Sequence, residues 1–259
     1  MAIELTKTEQ TELIDCLLDM GLLLLKCGAE ISRVEDTVSR MAKAYGCIRT
    51  DVFVITSIIS LSIEFPDKEV LTDTRRIFSS SETDFTRLEH LNHISRSCCQ
   101  NPVSVAELHK ELRQVASEEK SFTTQLLGSI IGAGAFAVFF GGNLWDGLAA
   151  AVFAVGICFL QRKFGKTEIS PAGANLLISL IIGIIVGLVG HIIPGIHLDM
   201  ILIGDIMLLI PGLAMINAVR NILGGNTISG LLRLTESLIW AAALAGGFML
   251  AILIVNMIV

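Results

Sequence analysis

Hydrophobic and polar positions follow two different patterns along the chain, and the change falls near residue 120. Before it, apolar residues recur singly, at helix or strand spacing, among charged residues. After it, they form long uncharged runs. Residues 1–120 hold 34 of the 44 Asp, Glu, Lys and Arg residues. Because a helix needs about 20 apolar residues to cross a bilayer, the pattern predicts a soluble domain over residues 1–120 and a membrane domain over residues 121–259.

Two helices are predicted to open the soluble domain. Apolar residues recur at helical spacing from Leu13 to Leu25, and Cys27-Gly28 supplies a glycine at which this helix can end. A second helix is predicted within residues 28–46. Its apolar stripe, which one helix face would bury, consists of Ile31, Val34, Val38, Met41 and Tyr45.

A small sheet is predicted after the second helix, because the hydrophobic period changes to two. Residues 51–56 form a β-rich run, and the next segment alternates Ile59, Leu61, Ile63 and Phe65 with polar residues. Pro66-Asp67 is a turn signal, after which residues 74–78 can return as a third strand. The outer face of such a sheet is polar, so the sheet is expected to be half buried against the helices.

Two more helices are predicted to complete the α+β domain. The first covers residues 83–98, with an apolar side formed by Phe85, Leu88, Leu91 and Ile94. The second begins at Ser104, with Glu107 in the position that completes a capping box, and runs to about residue 116. About 120 residues suffice for an independent hydrophobic core.

Charged residues beside the apolar stripe of the second helix are candidates for contacts with another domain or subunit. They are Glu30, Arg33, Glu35 and Arg40. Side chains three or four positions apart on a helix can also form ion pairs with one another. A solvated helix face and an interface therefore both remain open for these residues.

Five membrane-spanning helices are predicted in the second half, over residues 122–140, 144–161, 173–193, 199–218 and 231–257. Lys and Arg occur in the connections after the second and fourth spans and are absent from those after the first and third. Positively charged connections stay in the cytosol. The N-terminus is thus predicted in the cytosol and the C-terminus outside.

The fourth span contains polar and helix-breaking residues that a simple anchor does not need. Asp205 interrupts the apolar run, and a carboxylate within a span costs roughly 2.5–3.5 kcal/mol. Asp205 either stays protonated or hydrogen-bonded at a helix interface, or it lines a cavity and binds a proton, a cation or a substrate amine. Pro211-Gly212 then predicts a break in the helix, which fits either an inert bend or a solute path.

Polar residues cluster after the break. Arg220 can bind a carboxylate through two hydrogen bonds, or can simply be a positive anchor at the cytosolic face. The polar residues after the break and the residues singled out in the fourth span form one set of substrate-binding or coupling candidates: Asp205, Pro211, Gly212, Asn217, Arg220, Asn221, Asn226, Ser229 and Glu236.

Composition and motifs exclude several classes of protein. The net charge is −6, and charges of both signs are spread along the chain. The sequence therefore does not indicate a basic surface that would bind nucleic acid. The six cysteines show no CxxC spacing, which indicates reduced thiols rather than a disulfide framework or a zinc site. Neither a phosphate-binding loop nor a nucleophile–base motif occurs. No metal site, cofactor or enzymatic activity is predicted.

Two stretches resemble a known family: GAEISRVEDTVSRMAKAYG, residues 28–46, and PGLAMINAVRNILGGNTISGLLRLTESL, residues 211–238. They are similar to the threonine/serine exporter family, and most similar to the larger subunit of its split, two-subunit branch, which is associated with succinate export. The resemblance covers essentially the whole chain. It implies a cytosolic domain followed by a multi-pass domain in the cytoplasmic (inner) membrane of a bacterium.

The resemblance also implies a function and partners. The family exports small polar metabolites, so the expected substrate is an amino acid of the threonine/serine type or a dicarboxylate such as succinate, with coupling to protons. Fused members carry a second five-span domain, and split members use a separate five-span protein. A homo-oligomer or a hetero-oligomer in membrane lipid is therefore expected. The alternative is a membrane-anchored ligand-binding, regulatory or scaffold module without transport activity of its own.

This chain departs from the family pattern at two positions. The second motif is expected to carry an acid after its arginine and another after its glycine pair, where this chain has Asn221 and Asn226. The motif residues that match are Pro211, Gly212, Asn217, Arg220, Ser229, Gly230, Arg233 and Glu236. If the missing acids serve proton coupling or amine binding, the substrate or the coupling differs here.

Overall fold

The computed structural model describes residues 5–77, 83–118, 121–192 and 195–258. The chain forms two compact units. The first consists of Met1–Glu119 and Leu213–Leu234, and the second of Lys120–Gly212 and Thr235–Val259.

Helices α1 (Lys7–Lys26) and α2 (Ile31–Ala44) open the first unit, as predicted. The α1 helix begins at a capping box, in which the Thr6 and Glu9 side chains accept hydrogen bonds from each other's backbone. It is followed by Gly28, whose φ of 85° favours glycine. The whole predicted stripe of α2 is buried: Ile31, Val34, Val38, Met41 and Tyr45.

The sheet has three antiparallel strands, β1 (Arg49–Ile55), β2 (Ile58–Glu64) and β3 (Val70–Arg76), in the order β1-β2-β3. The predicted inward residues of β2 are buried, and on the other face Ser60 and Ser62 bond to threonines of β3 at 2.8 Å. The third strand starts earlier than its predicted residues 74–78, because the turn is short. Phe78, at the end of that prediction, lies outside the described residues.

Helices α3 (Phe85–Gln100) and α4 (Val105–Ser117) complete the domain. Ser104 caps α4 by accepting the Glu107 backbone N–H at 3.3 Å. On the predicted apolar side, Leu91 and Ile94 are buried, whereas Phe85 is 65% exposed. Phe85 is the first residue of α3. Side chains on a helix point back towards its N-terminus, so the Phe85 side chain extends beyond the first turn.

The membrane half contains six helices among the described residues: α5 (Phe122–Phe139), α6 (Leu144–Phe164), α7 (Pro171–Ile192), α8 (Leu198–Leu209), α9 (Gly212–Leu223) and α10 (Thr227–Ile258). Position 193, the last of the predicted third span, is not described. The α10 helix begins four residues before the predicted start of the fifth span at 231, directly after Gly225, whose φ is 90°, and Asn226.

Four helices, α5, α6, α7 and α10, are long and apolar enough to cross a membrane. Helices α8 and α9 pass the same test only as a pair, with a bend of 51° between them. The break predicted at Pro211-Gly212 is therefore confirmed. The number of candidate spans is four, or five if the bent pair is one broken span, so the predicted count of five stays a prediction.

Candidate functional site

The α8 helix holds Asp205 inside the second unit. Its buried residues are Ile201, Gly204, Asp205 and Leu209, a spacing that puts them on one helix face. This face packs tightly, since a methyl group at Gly204 would lie 2.6 Å from the Ala133 carbonyl oxygen on α5 and 3.2 Å from the Ala150 methyl group on α6. The glycine thus allows α8 to approach α5 and α6 closely at the level of Asp205.

The Asp205 side chain is completely buried, and neither carboxyl oxygen has a hydrogen-bond partner among the described residues. A buried polar group without a partner is costly, and a charged one much more so. Such groups are rare in native proteins, and each has a specific cause such as a catalytic role, local strain, or a bound water or ion. The geometry favours a binding or coupling role over a purely structural one, and that role stays a prediction.

The helix break lies directly after α8. The Ile210 N–H still donates to the Ile206 carbonyl at 3.0 Å, Pro211 has no N–H, and the Gly212 N–H turns back to the Ile210 carbonyl at 2.9 Å. Pro211 and Gly212 therefore act on the backbone. Their effect is to end α8 and redirect the chain into α9.

The α9 helix contacts the N-terminal domain within the first unit. The Asn217 Nδ2 donates to the Gly28 carbonyl oxygen at 3.4 Å, and the Arg220 guanidinium forms an ion pair with Glu30. Gly28 and Glu30 both belong to the turn between α1 and α2. Two residues predicted to bind substrate thus have protein partners, although the Arg220 side chain remains 61% exposed.

The connection between α9 and α10 contains the two asparagines. Asn221 is buried, its carbonyl accepts the Asn226 N–H at 2.9 Å, and its Nδ2 has no partner among the described residues. Ser229 is buried near the start of α10. Glu236, also on α10, is exposed and belongs to the second unit. The predicted set is therefore divided between the two units.

The other interface candidates on α2 have partners inside the N-terminal domain. Arg33 donates to the Asn92 amide oxygen at 3.4 Å, and Arg40 pairs with Asp36 at 2.8 Å. Glu35 accepts the Val54 N–H, and partial burial raises the pKa of its carboxyl group. Among the four, Glu30 is the residue whose contact reaches a segment from the membrane half of the sequence.

One hydrogen-bonded polar pair, with a buried acid and an exposed histidine, was not predicted from the sequence. Asp146, on α6, is completely buried and bonds to both the backbone and the side chain of His197, 51 residues later. The capping pattern Asn143-x-x-Asp146 was a usable signal for a helix start. The contact of Asp146 with His197 could not be predicted, because no sequence pattern links the start of α6 to the segment before α8.

Four helices that are long and apolar enough to cross a membrane are typical of a multi-pass membrane protein. The chain belongs to the putative threonine/serine exporter family, whose pattern it matches over residues 15–255. It is 22% identical over 248 residues to a probable threonine/serine exporter of Mycobacterium tuberculosis (strain ATCC 25618 / H37Rv). The match covers 93% of this chain and 46% of the relative, so the chain spans about half of that protein's length. No solved structure matches the chain.

Proposed function

We propose that the protein exports a small polar metabolite across the cytoplasmic membrane. An amino acid of the threonine/serine type is the first candidate, because the family and the mycobacterial relative carry that description. A dicarboxylate such as succinate is the second. The observation that carries the proposal is Asp205, a buried carboxyl group without a hydrogen-bond partner among the described residues, one turn before the end of α8 at the helix break.

Proton coupling is the mechanism that these residues support best. A carboxyl group can release its proton when a cationic amine binds in place of that proton. Binding of the substrate and binding of a proton would then exclude each other at Asp205. The break at Pro211 leaves backbone groups outside the helical pattern, and such groups at membrane depth are typical of transporter sites. Movement at the break would then expose the site to one side at a time.

A second membrane unit is part of the proposal. The chain corresponds to about half of its mycobacterial relative. Five spans would place the two termini on opposite sides of the membrane, and two such units can face each other as an inverted pair around a central site. The second unit would be another copy of this chain or a separate five-span protein.

Transport assays in proteoliposomes test the proposal. Labelled serine, threonine and succinate are each followed with and without a pH gradient, for the chain alone and together with a five-span partner protein. We expect gradient-dependent flux of at least one compound, and loss of that flux in Asp205→Asn. Glu168→Gln, which removes an exposed carboxylate from the same unit, should behave as wild type. No gradient-dependent flux in any arrangement would refute the proposal.

The contact of α9 with the N-terminal domain favours one second candidate, a ligand-binding or regulatory module. Through Glu30 and Arg220, a ligand of the N-terminal domain could act on the segment that follows the helix break. Calorimetric titration of the full chain with serine, threonine and succinate separates the two functions. Binding that Asp205→Asn does not alter, combined with absent flux, would favour the module.

A further inference from the structure

Asp146 occupies an unusual place at the start of α6. Its carboxylate accepts the backbone N–H of Asn143 at 2.7 Å, and the Asn143 side chain accepts the backbone N–H of Asp146 at 3.0 Å. This reciprocal capping box satisfies donors that a helix start leaves unpaired. A cap of this kind is normally exposed, yet the Asp146 side chain is completely buried.

The second function of the Asp146 carboxylate explains its burial. It also accepts the backbone N–H of His197 at 2.7 Å and the His197 Nδ1 at 2.9 Å. His197 is the residue directly before α8 and occupies its N-cap position. One carboxylate therefore holds the beginnings of two helices, where the helix dipoles favour a negative charge. Both helices belong to the second unit.

We infer that Asp146 is a positioning residue for α8, and that protonation of His197 makes the attachment of α8 to Asp146 depend on pH. This inference rests on the proposed export function, because α8 carries Asp205. Asp205 lies eight residues after His197, about 12 Å along the helix axis. A fixed N-terminus fixes the depth and rotation of the helix, and with them the position of the Asp205 carboxyl group.

The charges around His197 support a switch of this kind. In the second unit, α5 contains no titratable residue, α6 contributes Asp146, and α8 contributes Asp199 next to His197. On α7, His191 bonds to the Gly187 carbonyl of its own helix at 3.0 Å. The hydrogen bond to Asp146 raises the pKa of His197, and the negative charge of Asp199 adds to this effect.

The sign of the pH effect follows from that direction. Because the pKa of His197 is raised in the folded protein, its bond to Asp146 stabilises the fold fully below the ordinary histidine value of 6.5. The stabilisation is lost as the pH rises through the raised value. His197 is 61% exposed, so protons from solution can reach it.

Hydrogen–deuterium exchange of the intact protein tests the positioning role without any transport. In Asp146→Asn, an amide cannot accept all three hydrogen bonds. We expect the amides of residues 197–201 to exchange on the order of tenfold faster than in wild type, while the amides of α7 stay unchanged. In His197→Gln the backbone bond remains, so exchange there should rise much less. Unchanged exchange in Asp146→Asn would overturn the inference.

The pH-dependent part is tested with His197→Gln and its matched control His191→Gln. The thermal midpoint of His197→Gln should fall below that of wild type at pH 5.5 and approach it at pH 8.5. The difference for His191→Gln should not vary with pH. If His197 helps to position α8, the flux of His197→Gln relative to that of wild type should rise between pH 5.5 and pH 8.5. A midpoint difference for His197→Gln that is equal at both pH values would overturn the switch.

The outcomes separate this inference from the proposed function. If wild type transports nothing, the export proposal fails, whereas exchange and thermal midpoints still decide whether Asp146 holds α8. If transport is present and the exchange rates of residues 197–201 do not respond to Asp146→Asn, the inference alone fails. If Asp146→Asn does not fold, the pair His197→Gln and His191→Gln still decides.

Discussion

At the scale of single residues, Asp205 and Asp146 are two buried carboxylates of the second unit with opposite surroundings. Asp146 accepts three hydrogen bonds from protein donors, and Asp205 accepts none from the described residues. A carboxylate with a full set of donors contributes to stability, whereas one without donors reduces it. The contrast fits a structural role for Asp146 and is consistent with the functional role proposed for Asp205.

Replacing Asp205 by asparagine should separate stability from activity. Asparagine keeps the shape of the side chain and cannot ionise, so the protein should fold with an unchanged or higher thermal midpoint. Gradient-driven flux should fall to background, because an amide does not exchange protons. Thermal unfolding and flux are measured on the same preparation. A variant with normal flux and a normal response to the pH gradient would remove Asp205 from the mechanism.

The two carboxylates also show what sequence reasoning can reach at this scale. Asp205 was predicted from position alone, because one acid within an apolar run is visible in one dimension. The His197 partner of Asp146 was not, because their contact depends on how two helix connections meet in space. The Arg220–Glu30 pair was missed for the same reason, although both residues were candidates.

At the scale of elements, α7 and α10 pack closely through glycine. A methyl group at Gly247 would lie 2.5 Å from the Leu176 carbonyl oxygen and closer still to the Ser179 Oγ. Similar crowding would occur at Gly183, 3.0 Å from the ring of Phe248. Neighbouring Gly246 has nothing within 4 Å. The chain therefore provides two adjacent glycines on one helix in opposite environments.

Alanine substitutions at these two glycines should have opposite effects. Gly247→Ala forces α7 and α10 apart and should destabilise the protein by about 1–3 kcal/mol. Gly246→Ala adds a better helix former in open space and should be neutral or stabilising by up to about 1 kcal/mol. Thermal midpoints in one detergent give the comparison. Equal midpoints for the two variants would show that α7 and α10 do not pack through Gly247.

The contact between α9 and the N-terminal domain should be measurable as a coupling energy. Arg220→Ala and Glu30→Ala, combined in a double-mutant cycle on thermal stability, should be non-additive by roughly 0.2–1 kcal/mol, as expected for a largely exposed ion pair. The control cycle joins Arg220→Ala with Arg33→Ala, whose contact is with Asn92, and should be additive. Additivity in the Glu30 cycle would refute the contact.

At the scale of the whole molecule, the sequence predicted the order and type of the elements well. Periods of 3.6 and 2 marked α1, α2 and β2, because each has one buried face. Periodicity placed Phe85 on the apolar side of α3, but it assigns a face and not the length over which that face is covered, and Phe85 is exposed. The start of β3 at Val70 was missed for a related reason, since its residues alternate between half-buried and exposed. Such strands carry little hydrophobic signal.

The N-terminal domain should fold when separated from the rest of the chain. Among the residues that the structure describes, its buried core cluster runs from Leu13 to Val115, so removal of later residues leaves these members in place. A fragment of residues 1–119 should therefore unfold in one cooperative thermal transition, followed by circular dichroism. Loss of the α9 contact should lower the midpoint only slightly, because an exposed ion pair contributes little.

The cysteines of this fragment report on the same core by an independent measurement. Cys16, Cys27, Cys47 and Cys98 are buried and Cys99 is exposed. Burial raises the pKa of Cys16 to about 12 and that of Cys47 to about 11, so almost no thiolate is present at these sites at pH 8. One thiol of the folded fragment should react quickly with a disulfide reagent, and the other four only on unfolding. If all five react at one rate without denaturant, the core requires the rest of the chain.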